Sequence, residues 1–162
     1  MAGKETPIPA AIWEQVHRYF NRDDLKWWAA AESLAARPYT RVYEWLASRY
    51  RVHIGTNDDS AGDWFILADH PDEITVSLSW VGPWAYVWSR VDGLPRADPE
   101  IDSYLASEGF TYLGVELLSA LVDHWGEANA APLYSFLFQS ETDLPWDLYA
   151  SRDDARADGV GD

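Results

Sequence analysis

The sequence predicts an α+β fold, a single domain in which N-terminal helices pack on an antiparallel β-meander and two further helices follow. Three observations predict it. Apolar residues recur at helical spacing up to Tyr50, alternate with period two between Val52 and Val91, and return to helical spacing after Asp98. The turns between the alternating runs are short and polar, as in hairpins rather than crossover connections. The chain has 162 residues and no cysteine, so a core that removes roughly 70% of the unfolded chain's surface from water has to hold it without disulfides.

Three helices come first. Pro9 suits a first turn, and Ile12, Val16, Tyr19 and Phe20 then form one stripe. Asp23 or Asp24 caps a second segment lined by Leu25, Trp28, Ala29 and Ala36, which Pro38 ends. Thr40 is placed to cap a third, with Val42, Trp45, Leu46 and Tyr50 along one side. Strands are predicted at Val52 to Ile54, Trp64 to Asp69, Ile74 to Trp80 and Trp84 to Val91. Asp98 followed by Pro99 starts the next helix, whose stripe is Ile101, Tyr104 and Leu105, and Gly109 can take the left-handed conformation beyond it. A second late helix is expected to carry Val115, Leu118, Leu121, Val122 and Trp125 and to end at Gly126. LYSFLF, residues 133–138, fits either helix or strand. The globular domain is expected over residues 1–150, with 151–162 as a disordered acidic tail. The helices are expected on one face of the sheet.

Charge is distributed unevenly. Residues 1–51 hold eight Lys and Arg against six acids, whereas residues 52–162 hold four against twenty-one. Four cations cannot neutralise twenty-one acids wherever the fold places them. The resulting negative field repels nucleic-acid phosphates and anionic membranes; it either steers a basic protein partner inward or serves solubility alone. No stretch approaches the roughly 20 apolar residues that span a bilayer, and MAGKETPIPAAIW has no run fit for a signal peptide, so a cytoplasmic location is expected.

The stretch VSLSWVGPWAYVW, residues 76–88, concentrates three tryptophans and a tyrosine in a chain that has ten Trp. A hairpin with Val81, Gly82 and Pro83 as its loop sets Trp80 against Trp84, Leu78 against Tyr86 and Val76 against Trp88. One face is then wholly large and apolar, and Ser77, Ser79, Ala85 and Val87 form the other. A two-residue Gly82-Pro83 loop gives mixed faces instead. The first register implies that Ser77→Arg is tolerated on an open face, and that Trp84→Ala costs about 3 to 5 kcal/mol.

Catalytic signatures are missing. There is no G-x-S-x-G elbow, P-loop, G-x-G-x-x-G or H-E-x-x-H. His17 and His53 read as structural or solvent-facing, and His124 does not share a helix face with Asp123. His70 lies in ADHPDE, where Asp69, His70 and Glu73 make a thin case for a divalent ion and a solvated turn fits better. NDDSAGD, residues 57–63, is not a calcium loop, because Ala61 and Ala68 occupy positions that must supply oxygen. It is a turn-forming segment rich in acids. No cofactor is expected.

Candidate contact residues follow from the charge. Asp58, Asp59, Asp63, Asp72 and Glu73 lie in a run from Asn57 to Glu73 with six acids and no Lys or Arg. In ETDLPWDLY, Glu141, Asp143 and Asp147 surround Trp146, an aromatic anchor framed by acids of the kind that binds a basic protein surface. Clamping of the chain's end to the body is the plainer role for Trp146. FTYLGVELLSALVDHWG, residues 110–126, followed by PLYSFLF, resembles the small, acidic, Trp-rich immunity proteins of bacterial polymorphic-toxin systems. The resemblance implies an antitoxin that covers the active site of a cognate toxin, often a basic enzyme, and implies no catalytic residue. A small hydrolase or sugar-binding protein with an aromatic-lined pocket, and a DNA-mimic inhibitor, are the alternatives.

Overall fold

A computed structural model describes residues 8–21, 24–25, 39–55, 61–122, 131–138 and 144–147. Helix α1 (Ala10–Tyr19) starts after Pro9 and buries Ile12, Val16 and Tyr19, the predicted stripe. Two short strands, β1 (Phe20–Asn21) and β2 (Asp24–Leu25), then pair with each other. The remainder of the predicted second helix lies outside the described residues. Helix α2 (Tyr39–Ala47) begins one residue before Thr40, the expected cap, and buries Tyr39, Val42 and Leu46.

The meander follows as β3 (Val52–Ile54), β4 (Gly62–Leu67), β5 (Ile74–Ser79) and β6 (Trp84–Ser89). These strands pair antiparallel in sequence order, and β7 (Thr111–Tyr112) adds parallel to β6 at the far edge. A parallel neighbour requires a crossover, and helix α3 (Pro99–Ser107) supplies it. After β7 come α4 (Val115–Leu118), β8 (Leu121–Val122), β9 (Ala131–Pro132) and α5 (Leu133–Leu137). The architecture is α+β, with helices before, within and after a five-stranded, mostly antiparallel sheet.

Both faces of that sheet are covered. On one, Trp84, Tyr86 and Trp88 of β6 join Ile12 and Val16 of α1 and Leu133, Phe136 and Leu137 of α5. On the other, Val76, Leu78 and Val87 meet Val42 and Leu46 of α2 and Ile101 and Leu105 of α3. Every residue of β5 and β6 is buried. The one-sided packing expected from sequence therefore gives way to a three-layer arrangement.

Two-sided burial also changes the hairpin register. Ser77 stands opposite Tyr86, Thr75 opposite Trp88, and Leu78 opposite Ala85, a pairing that differs from both expected registers. The cause is at Trp80, whose N–H donates to Ala61 O at 2.8 Å and so extends the ladder toward β4 rather than β6. Residues 80–83 become the loop. Four of the five pairs, all but Val76 with Val87, then set a larger side chain against a smaller one, which suits close packing between two helical layers. Ser77 is fully buried, and its Oγ accepts a hydrogen bond from Trp88 Nε1 at 3.1 Å. It is not on an open face.

Late in the chain the predicted helix over Val115 to Trp125 stops after Leu118. Leu121 and Val122 pair with Pro132 and Ala131, and the Leu133 N–H donates to Ala120 O at 2.8 Å. Trp125 and Gly126 lie outside the described residues, as does the tail. LYSFLF resolves as helix. Gly109 has φ +91°, the left-handed conformation expected of it.

Candidate partner-binding surface

Among the described contact residues, Asp63 stands apart from Asp72 and Glu73. Asp63 is half-buried near the start of β4, opposite Leu78, while Asp72 and Glu73 are exposed in the turn after that strand. The length of β4 separates them, as the antiparallel arrangement requires. Asp147 is exposed, and its N–H donates to Leu144 O at 3.0 Å. Asp58, Asp59, Glu141 and Asp143 lie outside the described residues.

Trp146 takes the clamping role. Its ring meets Tyr86 and Tyr134 edge-on, each with centroids 5.8 Å apart, and it packs, half-buried, against the core that includes residues of α1 and α5. The neighbouring backbone fits closely against Gly93. A Cβ there would lie 2.1 Å from Pro145 O, and Gly93 has φ +73°, so glycine meets both demands. The Tyr86 hydroxyl donates to Gly93 O at 2.7 Å. Burial first, and the charge of Asp92 second, push that phenol far above its ordinary pKa, which keeps it a donor.

Where α2 meets α3, Arg41 and Arg49 are already engaged. Helices α2 and α3 run antiparallel along a seam of three rungs. Arg41 pairs with Glu108 at 2.6 Å, Trp45 stacks on Tyr104 at 4.2 Å, and Arg49 pairs with Glu100 at 2.7 Å. The Arg49 guanidinium also lies 4.2 Å from the Trp45 ring. Exposed ion pairs stabilise by only about 0 to 1 kcal/mol each. Their larger effect is to spend two arginines on two acids within the fold. Sequence reasoning missed the seam, although spacings of four in Arg41, Trp45, Arg49 and in Glu100, Tyr104, Glu108 were there to be matched. Arg90 points inward as well, donating to Ile74 O at 2.6 Å and Leu67 O at 3.2 Å, where it ties the ends of β4 and β5.

His70 is the principal correction among the histidines. It is buried rather than solvated, with Nε2 2.7 Å from Asp98 Oδ2 and Nδ1 accepting from the Asp72 N–H at 3.0 Å. Among the described residues no group of three or more His, Asp or Glu is gathered as metal ligands would be, so the Asp69–His70–Glu73 site does not form. Asp98 also caps α3, accepting from the N–H groups of Glu100 and Ile101 at 3.1 Å each. Desolvation opposes its charge, but the hydrogen bonds from His70 and from those backbone groups outweigh it and hold the carboxyl below its ordinary value.

That depression has a consequence for stability. A carboxylate with a lowered folded-state pKa contributes fully above its unfolded value of about 3.9 and loses the contribution as pH falls through the lower folded value. Asp98→Ala is therefore expected to cost about 1 to 2 kcal/mol at pH 7. Urea unfolding of both proteins should show the difference shrinking as pH drops below about 3.9. A difference that stays constant to pH 2 contradicts this role.

No protein-family model matches the chain, and neither a curated protein nor a solved structure matches it significantly. No helix among the described residues is long and apolar enough to cross a membrane.

Proposed function

We propose that the chain is an acidic protein-binding inhibitor, of the immunity-protein kind, that occludes the active site of a basic cognate toxin. The observation that carries the reading is the charge balance. Residues 52–162 hold twenty-one acids and four cations, and within the fold Arg90 turns inward onto carbonyls while Arg41 and Arg49 answer only Glu108 and Glu100. Among the described residues, Asp72, Glu73 and Asp147 are exposed acids of that later part. Trp84, Tyr86 and Trp88 belong to the core, so they offer no open platform to a sugar.

The partner is captured with the purified chain and identified, and association rates are then measured from 50 mM to 500 mM salt. Steering acts over about 8 Å at physiological ionic strength. Association with a basic enzyme should slow by roughly tenfold or more across that range, with much less change in dissociation. Capture of an acidic partner, or an association rate indifferent to salt, defeats the proposal.

A further inference from the structure

The His70 ring, 6% exposed, is bonded at both nitrogens, and those bonds specify its protonation. A backbone N–H can only donate, so Nδ1, which takes the Asp72 N–H at 3.0 Å, has to be bare. An ionised carboxylate can only accept, so the ring's single proton sits on Nε2, facing Asp98 Oδ2 at 2.7 Å. The observed turn thus fits a neutral imidazole in one tautomer.

We propose that the β4–β5 turn is a pH-sensitive joint, closed when His70 is neutral and opened when it gains a second proton. Protonation turns Nδ1 from acceptor into donor, and two donors cannot share that contact. The Asp72 N–H has to leave, while the Nε2 pair with Asp98 persists as an ion pair. The carbonyls of the turn are held from the other side: Ser89 Oγ donates to Asp72 O, and the Arg90 N–H donates to Glu73 O, each at 2.8 Å. The Glu73 N–H is held as well, donating to His70 O at 3.0 Å, so rearrangement is directed to the peptide entering Asp72; Glu73 beside it has φ +52°, a conformation that side-chain-bearing residues rarely adopt.

The groups around the ring come from each packed element. Asp98 faces it from α3, with Asp102 behind, its Oδ2 accepting the Asp98 N–H at 3.2 Å. The Tyr50 ring lies 5.2 Å away at the end of α2. Asp69 and Asp72 flank His70 in the turn, Asp69 accepting the Arg51 N–H at 2.8 Å; Arg49 pairs with Glu100 at the start of α3, and the Arg90 guanidinium bonds Leu67 O and Ile74 O at the ends of β4 and β5. Because Asp72 and Glu73 are exposed acids, the joint alters how this end of the sheet presents negative charge. The inference stands on the hydrogen bonds alone and does not depend on the inhibitor reading.

Nuclear magnetic resonance of the native chain between pH 8 and 5 tests it. At pH 8 the His70 ring should carry its proton on Nε2. On acidification the amide resonances of Asp72 and Glu73 should shift with the same midpoint as the ring, while those of β6 hold still. His70→Gln should abolish that step. Asp98→Asn should move its midpoint to lower pH, since the imidazolium loses its counter-charge. A proton on Nδ1 at pH 8, a ring that does not titrate in this range, or a titration that leaves both amides in place would each overturn the joint.

Discussion

Ser77→Arg is expected to abolish cooperative folding. Ser77 is fully buried and paired in register with Trp64 on β4 and Tyr86 on β6, and its Oγ receives the Trp88 Nε1–H. An arginine there puts a guanidinium among aromatic rings with no carboxylate described beside it. Burying an unpaired charge costs several kcal/mol, and overfilling a packed site adds about 1 to 3. That sum rivals the roughly 5 to 15 kcal/mol that stabilises an ordinary domain. Circular dichroism should show no cooperative melt. Ser77→Ala is the milder control, costing about 1 to 3 kcal/mol because it removes the buried acceptor of the Trp88 Nε1–H. An arginine variant that melts like the native chain would refute two-sided burial of the sheet.

Trp84→Ala carries the second large effect. Trp84 is 8% exposed within the core, and its ring lies so close to Gly82 that a Cβ added there would come within 2.1 Å. Alanine keeps the strand's backbone bonds and empties a ring-sized volume that close neighbours cannot fill without moving. The expected loss is about 3 to 5 kcal/mol. It is read as a lower urea midpoint at unchanged slope. A loss under about 1 kcal/mol would mean that the ring contributes little to the core.

The parts of the fold legible in sequence are those governed by local chemistry. Alternation located the four meander strands to within two residues at each end, because period two is imposed by the pleat itself. Asp98 and Pro99 announced the start of α3, since a side-chain acceptor followed by a residue without N–H suits a helix's first turn. The hairpin register was not legible. Alternation reports that two faces differ, yet Ser77 and Trp88 could be assigned only once both faces were known to be covered. The His70–Asp98 contact joins residues 28 apart in sequence, and no period connects them. Leu121 continues the helical stripe of α4, but its pairing with Pro132 prevails. The candidate site was legible as a total charge and not as a place, since charge counts add without regard to position.

The seam between α2 and α3 bears on a different matter, the information that orients the two helices. Its α2 side reads Arg, Trp, Arg and its α3 side Glu, Tyr, Glu. Each triplet is a palindrome, so reversing one helix end for end would still set every cation against an anion and ring against ring. The seam fixes how far one helix may slide along the other, because a slip of one turn puts arginine on tyrosine and glutamate on tryptophan. It says nothing about direction. Direction comes from connectivity: the meander lies between the helices in the chain, and the Asp98 cap anchors the leading end of α3 to His70 at the far turn of the sheet.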